Sequence, residues 1–432
     1  MAAHSDATDK QPHALSDKPP LWVAGRGDSA RVAALSLAAA GLPSAVEPLD
    51  APEPNQTDPW QSVLALSPAA RTMLETLGVW KAMKTPSCPI FDMRVFGRPA
   101  NMAEAADAPA HFISAQLGFG AQITDDTDLD HAPLGHIVSR TGLSDALHAA
   151  WQEAVTTGQL HVLAKPIDAP PQEAVLIDCH RRAPLWRQEE AAEPLRYDYG
   201  ASALVGVVET TRPHGHRAIQ IFLPDGPLAL LPLPSENAEP PQMALVWSLP
   251  SARAAALSRV TAEVLGYELA QATRGHMGTL TPKGAPAVQK LELVLAQEFV
   301  TPHGVLLGEA AHVVHPLAGQ GFNLTLRDAA CLADILFDAG RLGLPFHDAT
   351  MLARYHQSRR ADAALTAATT HGLAKLFQGP LAGLGRWGLG GVGAAARHRA
   401  DIRDALSAQA NGGISTANMP RLMRGRDYIS TN

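Results

Sequence analysis

The chain has 432 residues, 46% of them hydrophobic, and a formal net charge of −7 at pH 7. This length allows two domains that share an interface, and the negative charge with scattered Lys and Arg argues against a nucleic-acid partner. The three cysteines lie far apart, a spacing that predicts neither a disulfide framework nor a metal site and is typical of a reducing cytosol.

The first predicted elements follow a polar segment, residues 1–19, which we expect to be a disordered tail. Leu21–Ala24 is a short apolar run typical of a buried strand, and an alanine-rich helical pattern extends from Arg31 to Gly41. Between them the sequence has GxGxxA spacing, which assigns three candidate cofactor-binding residues: Gly25, Gly27 and Ala30. This pattern predicts the strand, turn and helix of a dinucleotide-binding unit.

A candidate ribose-binding acid follows in the second predicted strand, residues 42–47. Glu47 lies 22 positions after Gly25, where dinucleotide-binding folds place the carboxylate that binds the adenosine ribose. Asp28 weakens the pattern because it puts negative charge beside the expected diphosphate. The combination of strand, turn, helix and acid still favours a dinucleotide site.

The most informative segment spans residues 304–323. An apolar strand pattern leads into a carboxylate and then into glycines that open a helix, and the candidate cofactor-binding residues are Gly308, Glu309, Pro316, Gly319, Gln320, Gly321 and Asn323. Glycines let the backbone approach a ligand closely, and a helix N-terminus attracts anions. A carboxylate can accept hydrogen bonds from sugar hydroxyls. These features predict a cradle for a phosphorylated ribityl chain.

This segment resembles the second flavin-binding motif of the FAD-dependent aromatic hydroxylases, the para-hydroxybenzoate hydroxylase class. In that class the carboxylate is usually Asp, whereas here it is Glu309. Further segments resemble the ubiquinone-biosynthesis hydroxylases within the class, in the family's own order: 65–80, 134–143, 226–234, 245–248 and 355–362. In the broader class the arginine matching Arg140 approaches the FAD phosphates.

The resemblance implies an α/β fold with a Rossmann-like FAD-binding domain, an inserted β-sheet substrate domain and a C-terminal helical region. We expect the FAD-binding domain to be discontinuous and the sheet domain to be inserted in two pieces. The expected bounds are 20–89, 132–188 and 293–344 for the FAD-binding domain, 90–131 and 189–292 for the sheet domain, and 345–432 for the helical region.

The resemblance also implies the chemistry. FAD, reduced by NAD(P)H as co-substrate, would activate O2 for hydroxylation of an electron-rich ring. The substrate would be a polyprenyl phenol or quinol. We expect the protein itself to be cytoplasmic. Membership of a ubiquinone-biosynthesis protein complex and peripheral contact with the inner membrane face stay open. The sequence identifies no catalytic residue, and residues 379–393 fit either a packed helix or a membrane-surface element.

One family motif is degenerate in this chain. The class carries a "GADG" segment that touches flavin and nicotinamide, and Asp178, Cys179, His180 and Arg181 stand in its place. The basic run fits either a phosphate contact or a solvated surface turn. Three hypotheses therefore remain: an active ubiquinone-pathway monooxygenase, a flavin-fold assembly subunit without efficient catalysis, or a related enzyme of secondary metabolism.

Overall fold

The computed structural model describes residues 20–49, 62–97, 133–168, 174–181, 192–234, 240–275, 277–315, 319–376, 419–426 and 428. The strands in chain order are β1 (Leu21–Ala24), β2 (Ser44–Val46), β3 (Val63–Leu66), β4 (Cys88–Ile90), β5 (Asp92–Gly97), β6 (Gly135–Ser139), β7 (His161–Val162), β8 (Val175–Asp178), β9 (Leu195–Thr210), β10 (Arg217–Leu223), β11 (Gly226–Pro232), β12 (Gln242–Pro250), β13 (Leu280–Leu295), β14 (Val300–Thr301), β15 (Gly304–Leu306) and β16 (His312–Val313).

The helices alternate with these strands in the first part of the chain and dominate its last part. In chain order they are α1 (Asp28–Ala39), α2 (Pro68–Thr76), α3 (Val79–Ala82), α4 (Arg140–Thr156), α5 (Ser251–Leu257), α6 (Ala262–Thr273), α7 (Gln320–Arg341) and α8 (Ala349–Leu376), with short 3₁₀ helices at Gly308–Ala310 and Leu422–Arg424. None of the described helices is both long and apolar enough to cross a membrane.

The first sheet has the order β14-β15-β8-β1-β2-β7, and all of its pairings except β14 with β15 are parallel. Its central strands are apolar and buried, as expected for a parallel sheet covered by helices on both faces. The strand predicted at Leu21–Ala24 is confirmed. The helix predicted from Arg31 begins three residues earlier, at Asp28, because the turn is complete at Gly27.

The second sheet is predominantly antiparallel, with the order β16-β13-β9-β12-β11-β10-β5. One face packs against α5 and α6 through a core that includes Leu230, Trp247 and Leu269. Strand β13 continues to Leu295, and β16 lies inside the glycine-rich segment, so this sheet includes residues that the sequence assigned to the FAD-binding domain. The domain division remains a prediction.

A small sheet, β3-β6-β4, and the last two long helices complete the described architecture. The Tyr355 hydroxyl on α8 donates to the Leu306 carbonyl oxygen at 2.9 Å, which fixes α8 to the end of β15. The helix predicted around residues 355–362 is confirmed within α8. Residues 1–19, 235–239 and 379–393 lie outside the described residues.

Candidate cofactor and substrate site

One cavity, with a volume of about 730 Å³, lies between the first sheet's helices and the open face of the second sheet. The structure brings many of the predicted cofactor residues to its wall: Gly27, Arg140, Glu309, Gly319, Gln320, Gly321 and Asn323. Gly25, Ala30, Glu47 and Gly308 lie behind that wall, and Pro316 lies outside the described residues. The two sequence motifs therefore converge on one site.

Two helix N-termini contribute to the cavity wall. Helix α1 follows Gly27 and α7 follows Gly319, and neither helix has a side-chain cap. The positive ends of both helix dipoles therefore lie at the cavity, where they favour an anion. Gly319 has φ +65, and a Cβ there would lie 2.7 Å from the Ala65 Cβ, so the tight entry into α7 requires glycine.

The glycines at the wall leave room for a bulky ligand. A Cβ built on Gly27 or Gly321 meets no heavy atom within 4 Å, so a side chain at either position would project into open space beside the cavity. This is the space that a dinucleotide needs at the two helix N-termini. The shape of the wall therefore fits FAD.

The charge of the wall also fits a diphosphate. Cationic side chains line it around the N-terminus of α1: Arg26, Arg31, Arg140, His180 and Arg181. Asp28, which weakened the sequence motif, accepts hydrogen bonds from Arg31 Nη1 at 3.0 Å and Ser144 Oγ at 2.8 Å. Asp28 and Arg31 form an ion pair, so Asp28 adds no unpaired negative charge beside the N-terminus of α1.

Glu47 is buried and bound to the protein itself. Its Oε2 accepts from the Gly25 N–H at 2.6 Å, and its Oε1 accepts from the Ile167 N–H at 2.7 Å. Burial alone would raise the pKa of Glu47, but hydrogen bonds from His180, Gly25 and Ile167 hold this pKa below its ordinary value. Glu47 therefore holds the Gly25 turn in place, and its contact with an adenosine ribose stays a prediction.

His180 stands between Glu47 and the cavity. Its Nδ1 lies 2.9 Å from Asp178 Oδ1, and its Nε2 lies 3.5 Å from Glu47 Oε2. Hydrogen bonds to Asp178 and then to Glu47 raise the pKa of His180 to about 9. His180 is consequently an imidazolium at neutral pH, and it adds a positive charge where the family motif has an acid.

Asn323 connects the start of α7 to β3 and α2. Its Oδ1 accepts from the Ser67 N–H at 3.0 Å, and its Nδ2 donates to the Ala65 oxygen at 2.8 Å and to the Gly319 oxygen at 3.1 Å. Both amide hydrogens are therefore used within the protein. This positions the Gly319 turn, and a direct contact of Asn323 with the cofactor stays a prediction.

A buried charge cluster holds the glycine-rich segment against the last two helices. Fully buried Asp328 on α7 contacts His312 Nε2 at 2.6 Å and accepts from the Gly308 N–H at 3.1 Å and Arg359 Nε at 2.7 Å. Burial would raise the pKa of Asp328, but the contacts with His312 and Arg359 keep it below its ordinary value. His312 therefore supports the fold.

The opposite wall is the open face of the second sheet, and it is mostly apolar. Small or branched side chains from four adjacent strands line it, including Ala203, Val205, Ala218, Ala229, Ala244 and Val246. Small residues on neighbouring strands leave depth above the sheet, which suits a flat ring and a hydrocarbon tail. No cluster of three or more metal-ligating side chains occurs in the part of the chain that the structure describes.

The sequence did not reveal the partners of these residues. Ser144 meets Asp28 across 116 positions, His180 meets Glu47, and Arg359 meets Asp328 across 31 positions. Each contact depends on which strands and helices become neighbours, a long-range property. One usable signal was the acid and the histidine at Asp178 and His180. Polar side chains at the end of a buried strand are normally hydrogen-bonded, so partners for both could be expected.

Comparison with known proteins agrees with this geometry. Residues 199–370 match the FAD binding domain family. The chain is 31% identical over 369 residues to the ubiquinone hydroxylase UbiL of Rhodospirillum rubrum, covering 84% of this chain and 82% of that protein. It is 30% identical to the 3-demethoxyubiquinol 3-hydroxylase of Escherichia coli, covering 79% of this chain and 85% of that protein.

Solved structures share the fold at lower identity. PqsL, a probable FAD-dependent monooxygenase from Pseudomonas aeruginosa, is 18% identical with a TM-score of 0.62, covering 86% of this chain and 99% of its own. The p-nitrophenol 4-monooxygenase PnpA from Pseudomonas putida is 13% identical with a TM-score of 0.62, covering 92% and 99%. Taken with the two sequence relatives, these likenesses show that the chain belongs to the family of FAD-dependent monooxygenases that contains the ubiquinone-biosynthesis hydroxylases.

Proposed function

We propose that this protein hydroxylates the aromatic ring of a polyprenylated ubiquinone precursor, using FAD, O2 and NAD(P)H. The observation that carries the proposal is the shared cavity. One wall of this cavity has the glycines, helix N-termini and cations suited to FAD. The opposite wall is a mostly apolar sheet face suited to a prenylated ring. The close relatives that are named ubiquinone hydroxylases support this substrate class.

The protein's part in this reaction is binding, orientation and exclusion of water. Bound FAD supplies the redox chemistry: two electrons from NAD(P)H reduce O2, one oxygen atom enters a ring C–H bond and the other leaves as water. The uncapped N-termini of α1 and α7 would hold the phosphate and ribityl regions of the cofactor. The apolar residues of β9 to β12 would keep the reacting ring dry.

The degenerate segment at 178–181 fits this proposal. His180 and Arg181 both line the cavity: His180 is held there by Asp178 and Glu47, and the half-exposed Arg181 guanidinium carries donors that suit the phosphates of FAD or of a nicotinamide cofactor. The same residues motivated the assembly-subunit alternative, since they replace the family's flavin- and nicotinamide-contacting residues. A charged, cavity-lining His180 favours a binding role over a solvated surface turn.

A gene deletion tests the proposal in the host cell. We expect the deletion to lower ubiquinone and to accumulate a precursor that lacks one ring hydroxyl, as measured by mass spectrometry of lipid extracts. Re-expression of the wild-type chain should restore ubiquinone. Unchanged ubiquinone without precursor, in a host that has no second copy of the gene, would contradict the hydroxylase function and favour the assembly-subunit alternative.

A further inference from the structure

We propose that the side-chain carbonyl of Gln220 is the hydrogen-bond acceptor that orients the ring hydroxyl of the phenolic substrate. This inference rests on the proposed function and adds the residue that selects a phenol. Gln220 lies on β10, on the sheet face that lines the cavity, and its residue is only 5% exposed. Its side chain is therefore a buried polar group on a mostly apolar wall.

The orientation of this amide is fixed by a neighbouring strand. Gln220 Nε2 donates to the Leu228 carbonyl oxygen at 3.1 Å. Because a backbone carbonyl can only accept, the amide nitrogen must face Leu228 and the amide oxygen must point elsewhere. Within the described residues, Gln220 Oε1 accepts no hydrogen bond. A ligand that brings a donor to this oxygen from the cavity would satisfy it, and a ligand that covers it without a donor would leave it unpaired at a cost in free energy.

The surroundings of Gln220 make the acceptor selective. Its cross-strand neighbour is Ala229, and the next residue across the sheet is Val246. Neither side chain offers a hydrogen bond, so a ring lying over them can be recognised by shape there but not by polarity. Among the cavity-lining residues of β9 to β12, the other polar side chain is Ser248.

Ser248 differs from Gln220 in the freedom of its polar group. A serine hydroxyl rotates and can donate or accept, so it does not discriminate between a ligand donor and a ligand acceptor. The Gln220 oxygen is held in one place and can only accept. A phenol hydroxyl satisfies it, whereas the corresponding methyl ether brings no hydrogen and would leave the oxygen buried and unpaired.

A binding experiment on the FAD-loaded protein tests this inference without using turnover. Titration of 2-farnesylphenol and of its O-methyl ether, followed by the change in flavin absorbance, should show about tenfold tighter binding of the phenol to the wild type. Gln220→Met keeps the length of the side chain and removes the acceptor. It should bind the phenol about tenfold more weakly and lose the preference over the ether.

Ser248→Ala is the matched comparison on the same wall and should keep the preference for the phenol. The flavin content and thermal unfolding of each variant report whether its fold is retained. Equal affinity of the wild type for phenol and ether overturns the inference without any variant. A preference for the phenol that survives in Gln220→Met, or that disappears in Ser248→Ala, overturns it as well. If the wild type binds neither ligand, the proposed function fails as well. If the wild type hydroxylates the phenol but binds phenol and ether equally well, the inference about Gln220 fails and the proposed function stands.

Discussion

At the residue scale, His180 shows how this chain differs from the motif it resembles. The imidazolium lies between the carboxylates of Asp178 and Glu47, with a side chain that is 26% exposed. His180 replaces the acid of the family motif with a charge of opposite sign, which the carboxylates of Asp178 and Glu47 stabilise. The positive charge of His180 is therefore balanced within the protein.

This arrangement predicts a pH dependence of stability. The two carboxylates raise the pKa of folded His180 to about 9, above the value of about 6.5 expected in the unfolded chain. The stabilisation is then complete below pH ~6.5 and is lost as the pH rises through ~9. His180→Ala should lower the free energy of unfolding by roughly 1–3 kcal/mol at pH 6 and much less at pH 10.

Chemical denaturation of wild type and variant at pH 6, 7.5 and 10 measures this difference. His161→Ala is a suitable control, because His161 lies exposed on the edge strand β7. An equal loss of stability at pH 6 and pH 10 would show that His180 acts through packing and not through its charge.

Gly321 predicts the location of the cofactor. A glutamate there would project into the open space at the N-terminus of α7 and place negative charge beside a phosphate. We expect Gly321→Glu to purify with far less than stoichiometric FAD, at unchanged far-UV circular dichroism. Gly372→Glu is the matched control, since Gly372 lies exposed on α8 with no neighbour within 4 Å of its Cβ position. Full FAD occupancy in the Gly321 variant would refute the assignment.

At the element scale, the buried cluster around Asp328 joins α7, α8 and the glycine-rich segment. The cluster also includes Arg327 on α7, which contacts Asp362 at 2.8 Å, and Arg359, which contacts the same carboxylate at 2.6 Å. A buried charge without its partner is strongly destabilising. The position of the segment that leads to the Gly319 turn therefore depends on the pairing of these two helices.

Asp328→Asn should lower the free energy of unfolding by roughly 3–5 kcal/mol, because the buried Arg359 loses one of its two anionic partners and the new amide hydrogens face the Gly308 N–H or His312. Urea denaturation monitored by tryptophan fluorescence measures the change. The control is Asp168→Asn, in an ion pair whose side chains are 80% and 77% exposed, and it should leave the midpoint unchanged. Similar midpoint shifts in both variants would contradict the role of the cluster.

The elements themselves could be predicted well, because their signals are local. The apolar run at Leu21–Ala24 and the glycine that opens α7 depend on neighbouring residues, and both were located correctly. The short strand β16 was missed, because two residues inside a turn-rich segment carry no periodicity. The partners of Asp28, Glu47 and Asp328 could not be predicted, because these partners are distant in sequence and meet only through the order of strands and helices.

At the scale of the whole molecule, the two sheets divide the work. The parallel sheet positions two helix N-termini and several cationic side chains, while the antiparallel sheet offers a mostly apolar face opposite them. The cavity between these walls can bring a flavin and a prenylated ring together while α5 and α6 cover the outer face of the second sheet. Because residues 178–181 belong to the first wall, their difference from the family motif leaves the apolar face of the second sheet unchanged.

Transfer of oxygen to a prenylated phenol is the most direct assay of the proposed hydroxylation. The purified FAD-loaded protein would be incubated with NAD(P)H, 2-farnesylphenol and ¹⁸O-labelled O2, and the products analysed by mass spectrometry. We expect a ring-hydroxylated product that carries one ¹⁸O atom, formed only when NAD(P)H is present. If the protein holds stoichiometric FAD and oxidises NAD(P)H but forms no labelled product from this phenol or from a natural ubiquinone precursor, the protein is not the proposed hydroxylase.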